Sequence, residues 1–191
     1  TEAATPHSYH YAPDPSSQKA CTIGGNVAEN SGGPHTLKYG VTVNHITGME
    51  WVLPGGEVVE FGGKSDDGVG YDIRGLVIGS EGTLGTATRI VVKLTPNPPA
   101  YKTMLAVFSS MEDASTTVSE IIGAGMIPSS LEVMDRLIID AVEAAFHFGF
   151  PDDAQAVLII ELDGVESGLA EQSDAVVAIC DANGASGRSE E

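Results

Sequence analysis

Three prolines within four residues, Pro96, Pro98 and Pro99, constrain this chain more than any other feature. Each proline fixes its own φ and pushes the residue before it toward extended backbone. Neither a helix nor a central strand can run through Thr95-Pro96-Asn97-Pro98-Pro99, which therefore reads as a stiff connector. Composition changes across it. Residues 1–99 hold six basic and ten acidic residues and sixteen of the 23 glycines; residues 100–191 hold three basic and seventeen acidic ones. The expected organisation is a first domain over 1–95, a linker over 96–100, a second domain over 101–180 and a flexible tail over 181–191.

The first half reads as short strands joined by glycine-rich loops. Met49-Glu50-Trp51-Val52-Leu53 and Glu57-Val58-Val59-Glu60-Phe61 flank Pro54-Gly55-Gly56, the pattern of a β-hairpin with a type II turn. Thr88 to Leu94 predicts another strand, with Ile90, Val92 and Leu94 on one face and Arg89 and Lys93 on the other. The second half alternates. Strands are expected at Tyr101–Phe108, Leu131–Val133 and Ala156–Leu162. A first helix starts at Ser110 with Ala114, Val118, Ile121 and Ile122 inward. A second carries Ile138, Ala141, Val142 and Ala145, and a third Leu169, Val176, Val177 and Cys180.

Two loops carry the chemistry. One runs from Pro13-Asp14-Pro15-Ser16-Ser17 through Thr22-Ile23-Gly24-Gly25-Asn26 to Asn30-Ser31-Gly32-Gly33; the other is Gly79-Ser80-Glu81-Gly82-Thr83-Leu84-Gly85. Glycine lets backbone N–H groups approach a ligand, and successive amides can hold an anion without a basic field. Spacing alone leaves these loops equally readable as ordinary turns between strands. No G-x-x-x-x-G-K-[ST] occurs and no G-x-G-x-x-G lies between strand and helix, which speaks against a P-loop NTPase or a Rossmann dehydrogenase.

The runs PDPSSQKACTIGGNVAENSGGPHTLKYGVT and GYDIRGLVIGSEGTLGTATRIVVKLTPNP closely resemble the FAD-linked oxidase family, which has the flavin fold of vanillyl-alcohol oxidase and p-cresol methylhydroxylase. The similarity is greatest to its hydroxy-acid members, the glycolate oxidase FAD-binding subunit and the D-lactate and D-2-hydroxyglutarate dehydrogenases. The resemblance implies an α+β chain: an antiparallel-sheet FAD-binding subdomain over 1–95, followed by the start of an α/β-layered cap domain over 101–180. It implies FAD contacts at Pro13, Asp14, Ser17, Thr22, Gly24, Gly25 and Asn26, at the turn Asn30, Gly32 and Gly33, and at Glu81, Gly82 and Gly85, with Glu81 toward a ribose. Thr86-Ala87 departs from the bulky residues of relatives, implying looser packing there. Ser129-Ser130-Leu131-Glu132-Val133-Met134-Asp135 and Leu158 to Gly164 resemble the opening of the family's cap.

By this resemblance the protein is an FAD-dependent oxidoreductase acting on the CH–OH group of a small 2-hydroxy acid, glycolate-like or D-lactate-like. The electron acceptor would be an iron–sulfur partner or a quinone, and the location cytoplasmic. The family's catalytic histidine motif is expected beyond Glu191 and its first diphosphate loop before Thr1, so no catalytic residue is assigned and the segment alone is expected to be inactive. The alternative is a flavin-binding or scaffold module without turnover.

Other functions are excluded or unsupported. A net charge of −18 gives no counterion release on nucleic acid. The longest apolar runs reach about half of the roughly 20 residues a spanning helix needs. His7, His10, His35, His45 and His147 lack metal-ligand spacing and read as surface histidines. Cys21 and Cys180 read as packing residues. Glu161 and Asp163 alternate on a strand, with no cleft to make them an acid–base pair.

Overall fold

A computed structural model describes residues 1–65 and 70–190 and divides into two units, Thr1–Asn97 and Pro98–Glu191. In the first, the hairpin forms from β2 (Ile46–Val52) and β3 (Val58–Gly62), paired so that Met49 faces Phe61 and Trp51 faces Val59. Its turn differs from the type II expectation. The left-handed residue is Gly56 (φ 87°), one position later, as in a three-residue hairpin loop. β4 (Thr86–Val92) pairs with the other edge of β2. It starts earlier than expected because Thr86 pairs with Val52 and Ala87 sits opposite Trp51, so a small residue there accommodates the indole. Ile90 and Val92 pack inward, whereas Leu94 lies past the strand and is exposed.

On one face of this sheet, Met49 and Trp51 pack against Val27 from α1 (Ile23–Glu29) and against Val77 and Ile78. Val77 ends α3 (Ile73–Val77), which is capped by Asp72 through the Gly75 amide at 3.1 Å. A short α2 (Thr36–Tyr39) lies between α1 and β2. β1 (Tyr9–His10) pairs with β5 (Thr95–Pro96). Pro96 of the connector is thus an edge-strand residue, where the missing donor is tolerated.

The second unit is a four-stranded antiparallel sheet ordered β7-β8-β6-β9. β6 (Ala100–Phe108) and β7 (Ser130–Asp135) flank the central β8 (Ala156–Gly164). Period-two alternation sends Met104, Ala106, Phe108, Leu158, Ile160 and Leu162 to one face. There they meet Ala114 and Ile121 of α4 (Met111–Gly123) and Leu169, Val176 and Cys180 of α6 (Glu166–Ala182). Val107 and Val157 point to the other face, toward Ile139 of α5 (Arg136–Phe146). Strand, helix and pairing order make a split β-α-β arrangement with α5 added between β7 and β8.

Three expectations are corrected here; the first is Ile122 of α4, expected inward and found exposed while Ile121 is buried. α5 buries Ile139 alone, and Ile138 is half exposed, because the Asp135 cap on the Ile138 amide (2.9 Å) sets the helix phase. Residues 181–190, expected as a flexible tail, complete α6 and form β9 (Gly187–Glu190) on the edge of β6; Glu191 lies outside the described residues. Leu158, fully buried at the sheet centre, is the sharpest stability probe. Leu158→Ala should cost about 2–5 kcal/mol, read as a lower urea midpoint with an unchanged slope.

Candidate cofactor-binding site

All predicted site residues fall in the first unit, on three segments. The stretch from Thr22 to Glu29, expected as a loop, is the helix α1 with its cap. Thr22 is extended (φ −118°, ψ 157°) and its hydroxyl accepts from the Gly25 amide at 3.0 Å. Two glycines weaken such a short helix, so its stability must come from packing: Val27 is fully buried and Asn26 nearly so. The left-handed Asn30 (φ 51°) ends it, and its side-chain oxygen accepts from the Val43 amide at 2.9 Å. The Ser31 carbonyl then takes both the amide (3.0 Å) and the hydroxyl (2.8 Å) of Thr42.

The second glycine loop docks on the carbonyl end of this helix. The Gly79 amide donates to Val27 O and the Glu81 amide to Ala28 O, both at 2.9 Å. Segments far apart in sequence thereby become one surface. At its far end, the Trp51 indole donates to Leu84 O at 3.1 Å. A Cβ on Gly85 (φ 137°) would collide with that indole nitrogen and with Val52 O. Gly85 is therefore glycine for a reason internal to the fold.

Gly33 is similar, since a Cβ there would overlap Asp14, backbone carbonyl and carboxylate alike. The Pro13-Asp14-Pro15 loop consequently lies directly on the turn after α1. Pro13 and Pro15 are buried and Asp14 is half buried. His35 Nδ1 stands 2.5 Å from Asp14 Oδ2; the carboxylate can only accept, so Nδ1 donates. The Gly33 amide donates to Thr36 Oγ1 at 2.7 Å. Sequence reading placed His35 among ordinary surface histidines, because a contact across this much chain leaves no local signature.

The remaining predicted residues have fewer internal duties. Ser17, Glu81 and Gly82 are exposed. Gly24 lies in α1 without a positive φ, and a Cβ on it would meet nothing within 4 Å. Neither backbone strain nor crowding within the chain accounts for glycine there; close approach by an outside group would. Ser80, absent from the predicted set, has a buried hydroxyl with no protein partner. Lys19 is the one basic residue in 13–33 and 79–85, beside Asp14, Glu29 and Glu81. Amides, hydroxyls and open glycine backbone suit a dinucleotide held by hydrogen bonds more than by ion pairs, and FAD fits that donor set.

Beneath the turn, the rings of Tyr11 and His45 meet edge to face at 6.1 Å. His45 Nε2 donates to Tyr39 O at 2.8 Å, while His45 Nδ1 and the Tyr11 hydroxyl are buried without partners. Burial raises the Tyr11 phenol above 10.0; the Thr42 side chain, close to the phenol but outside hydrogen-bonding geometry, offsets part of the rise, and charge on Cys21 adds to it. Elsewhere, a hollow of 320 Å³ lies over β2–β4 beside Glu50, Phe61 and Arg89. Arg89 is already paired there, with Glu50 at 3.0 Å and Glu60 at 2.6 Å. In the second unit, Glu161 of the central strand β8 accepts from the hydroxyl of Ser129, just before β7, at 3.0 Å. Among the described residues no group of three His, Cys, Asp or Glu side chains could hold a metal ion. No described helix is long and apolar enough to cross a membrane.

Two family models match the chain: the FAD binding domain over residues 1–62, and the C-terminal domain of FAD linked oxidases over residues 97–190. The glycolate oxidase subunit GlcD of Escherichia coli K12 is 49% identical over 176 residues, 92% of this chain and 35% of that protein. The same-named protein of Bacillus subtilis 168 is 46% identical, over 89% of this chain and 36% of its own length. A D-lactate dehydrogenase of Anaerostipes hadrus is 36% identical, over 83% and 32%. The chain thus spans about a third of the curated relatives it matches. An alkyldihydroxyacetonephosphate synthase structure superposes with a TM-score of 0.80 at 22% identity, covering 96% of this chain and 37% of that one, which shows a shared fold.

The Tyr11 hydroxyl gives a direct test of this buried polar floor. Tyr11→Phe removes an unpartnered group, so the urea midpoint at neutral pH should equal or exceed wild type, by about 1 kcal/mol. Because the folded-state phenol is raised, its contribution to stability is complete below 10.0 and is lost as pH climbs through the folded value. Urea melts on both sides of that range should show the alkaline loss shrinking in the variant.

Proposed function

This chain belongs to the FAD-linked oxidase family, and we propose that it supplies the flavin cradle and opening cap of an oxidoreductase acting on the CH–OH group of a small 2-hydroxy acid. The observation that carries the reading is the 49% identity to a glycolate oxidase subunit over 176 residues, 92% of this chain. The match to a D-lactate dehydrogenase supports the same substrate class, a short acid with a hydroxyl beside its carboxylate. When bound, FAD would supply the two-electron acceptor for the carbon that bears the hydroxyl.

The chain's own residues would do the holding. Thr22 and Asn30 fix the two ends of α1, and the amides of Gly79 and Glu81 lock the second loop to it. Gly24 leaves its backbone open to close approach, and Ser80 offers a hydroxyl. Ser17, Gly25, Asn26, Gly82 and the exposed Glu81 complete the proposed contacts, Glu81 as an acceptor for ribose hydroxyls. Gly32, Gly33 and Gly85 would serve indirectly, by letting segments approach one another. No described residue is assigned as the base that takes the hydroxyl proton. An iron–sulfur protein or a quinone would receive the electrons. Cys21 and Cys180 are both free thiols, which accords with the reducing cytoplasm.

The test starts from the complete open reading frame. The purified product should show a flavin spectrum, bleached anaerobically by glycolate or D-lactate; a product that neither contains nor takes up FAD overturns the reading. Gly24→Ala should separate binding from folding. Alanine is preferred to glycine inside a helix by up to about 1 kcal/mol, so thermal stability should hold or rise. FAD affinity should nevertheless fall about tenfold, since the added methyl occupies the approach path.

A further inference from the structure

We infer that Asp14 and His35 form a latch that pre-shapes the Pro13–Pro15 loop for the cofactor, so that both are positioning residues for FAD. The inference rests on the flavin reading above. Its starting point is the 2.5 Å contact between His35 Nδ1 and Asp14 Oδ2, a hydrogen bond to an ionised acceptor and so among the stronger kinds. It joins the loop to the turn that follows α1, at the seam where Gly33 admits no Cβ against Asp14.

The pair lies apart from the apolar core. None of its residues belongs to the cluster of Val27, Met49, Trp51, Val77 and Ile78. The two side chains remain 32% and 22% exposed, and pairs with that much solvent contribute little to global stability. What the contact does fix is local. Asp14 stands between two buried prolines whose φ angles are set, so one further restraint on its side chain defines the loop. A site that binds by backbone and hydroxyl groups cannot reach toward its ligand as lysine or arginine would. Its shape must be present beforehand.

Charge gives the pair a second duty. Asp14 is a carboxylate in a segment with a single basic residue, Lys19, facing the prospect of a diphosphate. Unpaired, it would repel that ligand. Held on the His35 ring, one carboxylate oxygen is engaged by the Nδ1 hydrogen and the side chain is fixed in place. The consequence is an asymmetry that a merely structural contact would lack: losing His35 should harm binding more than losing the Asp14 charge, and removing both should restore much of what His35 alone costs.

The experiment titrates FAD into the full-length apoprotein, following flavin fluorescence and the visible circular dichroism of bound flavin, with thermal midpoints in parallel. His35→Ala should raise the FAD Kd about tenfold to a hundredfold and alter the dichroism. Asp14→Asn should change Kd less than His35→Ala does, and His35→Gln, which keeps a donor, should stay near wild type. The double variant D14N/H35A should bind more tightly than H35A. The inference is overturned if H35A binds as wild type does, if the double variant is no better than H35A, or if H35A fails to fold, which would make the pair a folding contact. If all four variants behave as expected but no hydroxy acid reduces the flavin, the latch stands and the substrate reading falls. A wild type that takes up no FAD overturns both.

Discussion

The carbonyl end of α1 is the joint on which the first unit depends. A helix leaves its last carbonyls without internal partners, and burying that end demands that something else supply donors. Here the donors come from two directions. Asn30 and Ser31 turn back onto Asn26 O and Val27 O, and Gly79 and Glu81 arrive from the other glycine segment to take Val27 O and Ala28 O. A helix of only seven residues containing two glycines would not persist alone. It persists because Val27 is packed beside Trp51 and because the second loop completes its hydrogen bonds. The candidate site is a by-product of that completion: satisfying one short helix puts both glycine segments on one surface.

Charge is distributed so as not to interfere. Residues 100–191 carry three basic and seventeen acidic residues, while residues 1–99 carry six and ten. Many acids of the second unit, among them Glu112, Asp113, Glu120, Asp140 and Glu171, lie on exposed sides of helices, where solvent screens them, whereas Asp163 on β8 is buried. Within the first unit two carboxylates near the sheet are tied to Arg89, and Asp14 to His35. A strongly acidic chain can therefore present a nearly neutral, amide-rich surface.

What the sequence made legible follows the range of the interactions involved. The pairing of hairpin β2–β3, though not its turn type, the alternating strands β6 and β8, and the helix start at Ser110 rest on neighbours in the chain and form as read. Features decided at long range were misread or invisible. Thr22 to Glu29 lacks helical periodicity and is low in propensity, so only tertiary packing reveals a helix. The phase of α5 is set by the Asp135 cap, which is why Ile139 and not Ile138 turns inward. β9 exists because the edge of β6 offers it unpaired backbone, a fact no tail sequence announces. Asp14 and His35 meet across a folded turn, and their residue types alone are ordinary.

Glycine shows the same division within the site itself. Gly33 and Gly85 drew notice as ligand glycines, yet the collisions a Cβ would suffer with Asp14 and with Trp51 explain them from inside. Their residue type is then no evidence about a ligand. Gly24 passes the opposite test, having neither a left-handed backbone nor a neighbour to avoid. Helix propensity disfavours it and no contact within the fold requires it, which is what the proposed close approach of a bound group would explain. Ser80 makes the matching case among polar atoms, since a buried hydroxyl without a partner carries a cost that a bound group would remove. Gly24 near the start of α1 and Ser80 in the loop docked on its carbonyl end are thus unexplained by the fold for different reasons, one steric and one polar. Under the proposed flavin reading, a ligand lying along this helix, approaching the backbone at one end and hydrogen-bonding at the other, would account for both at once.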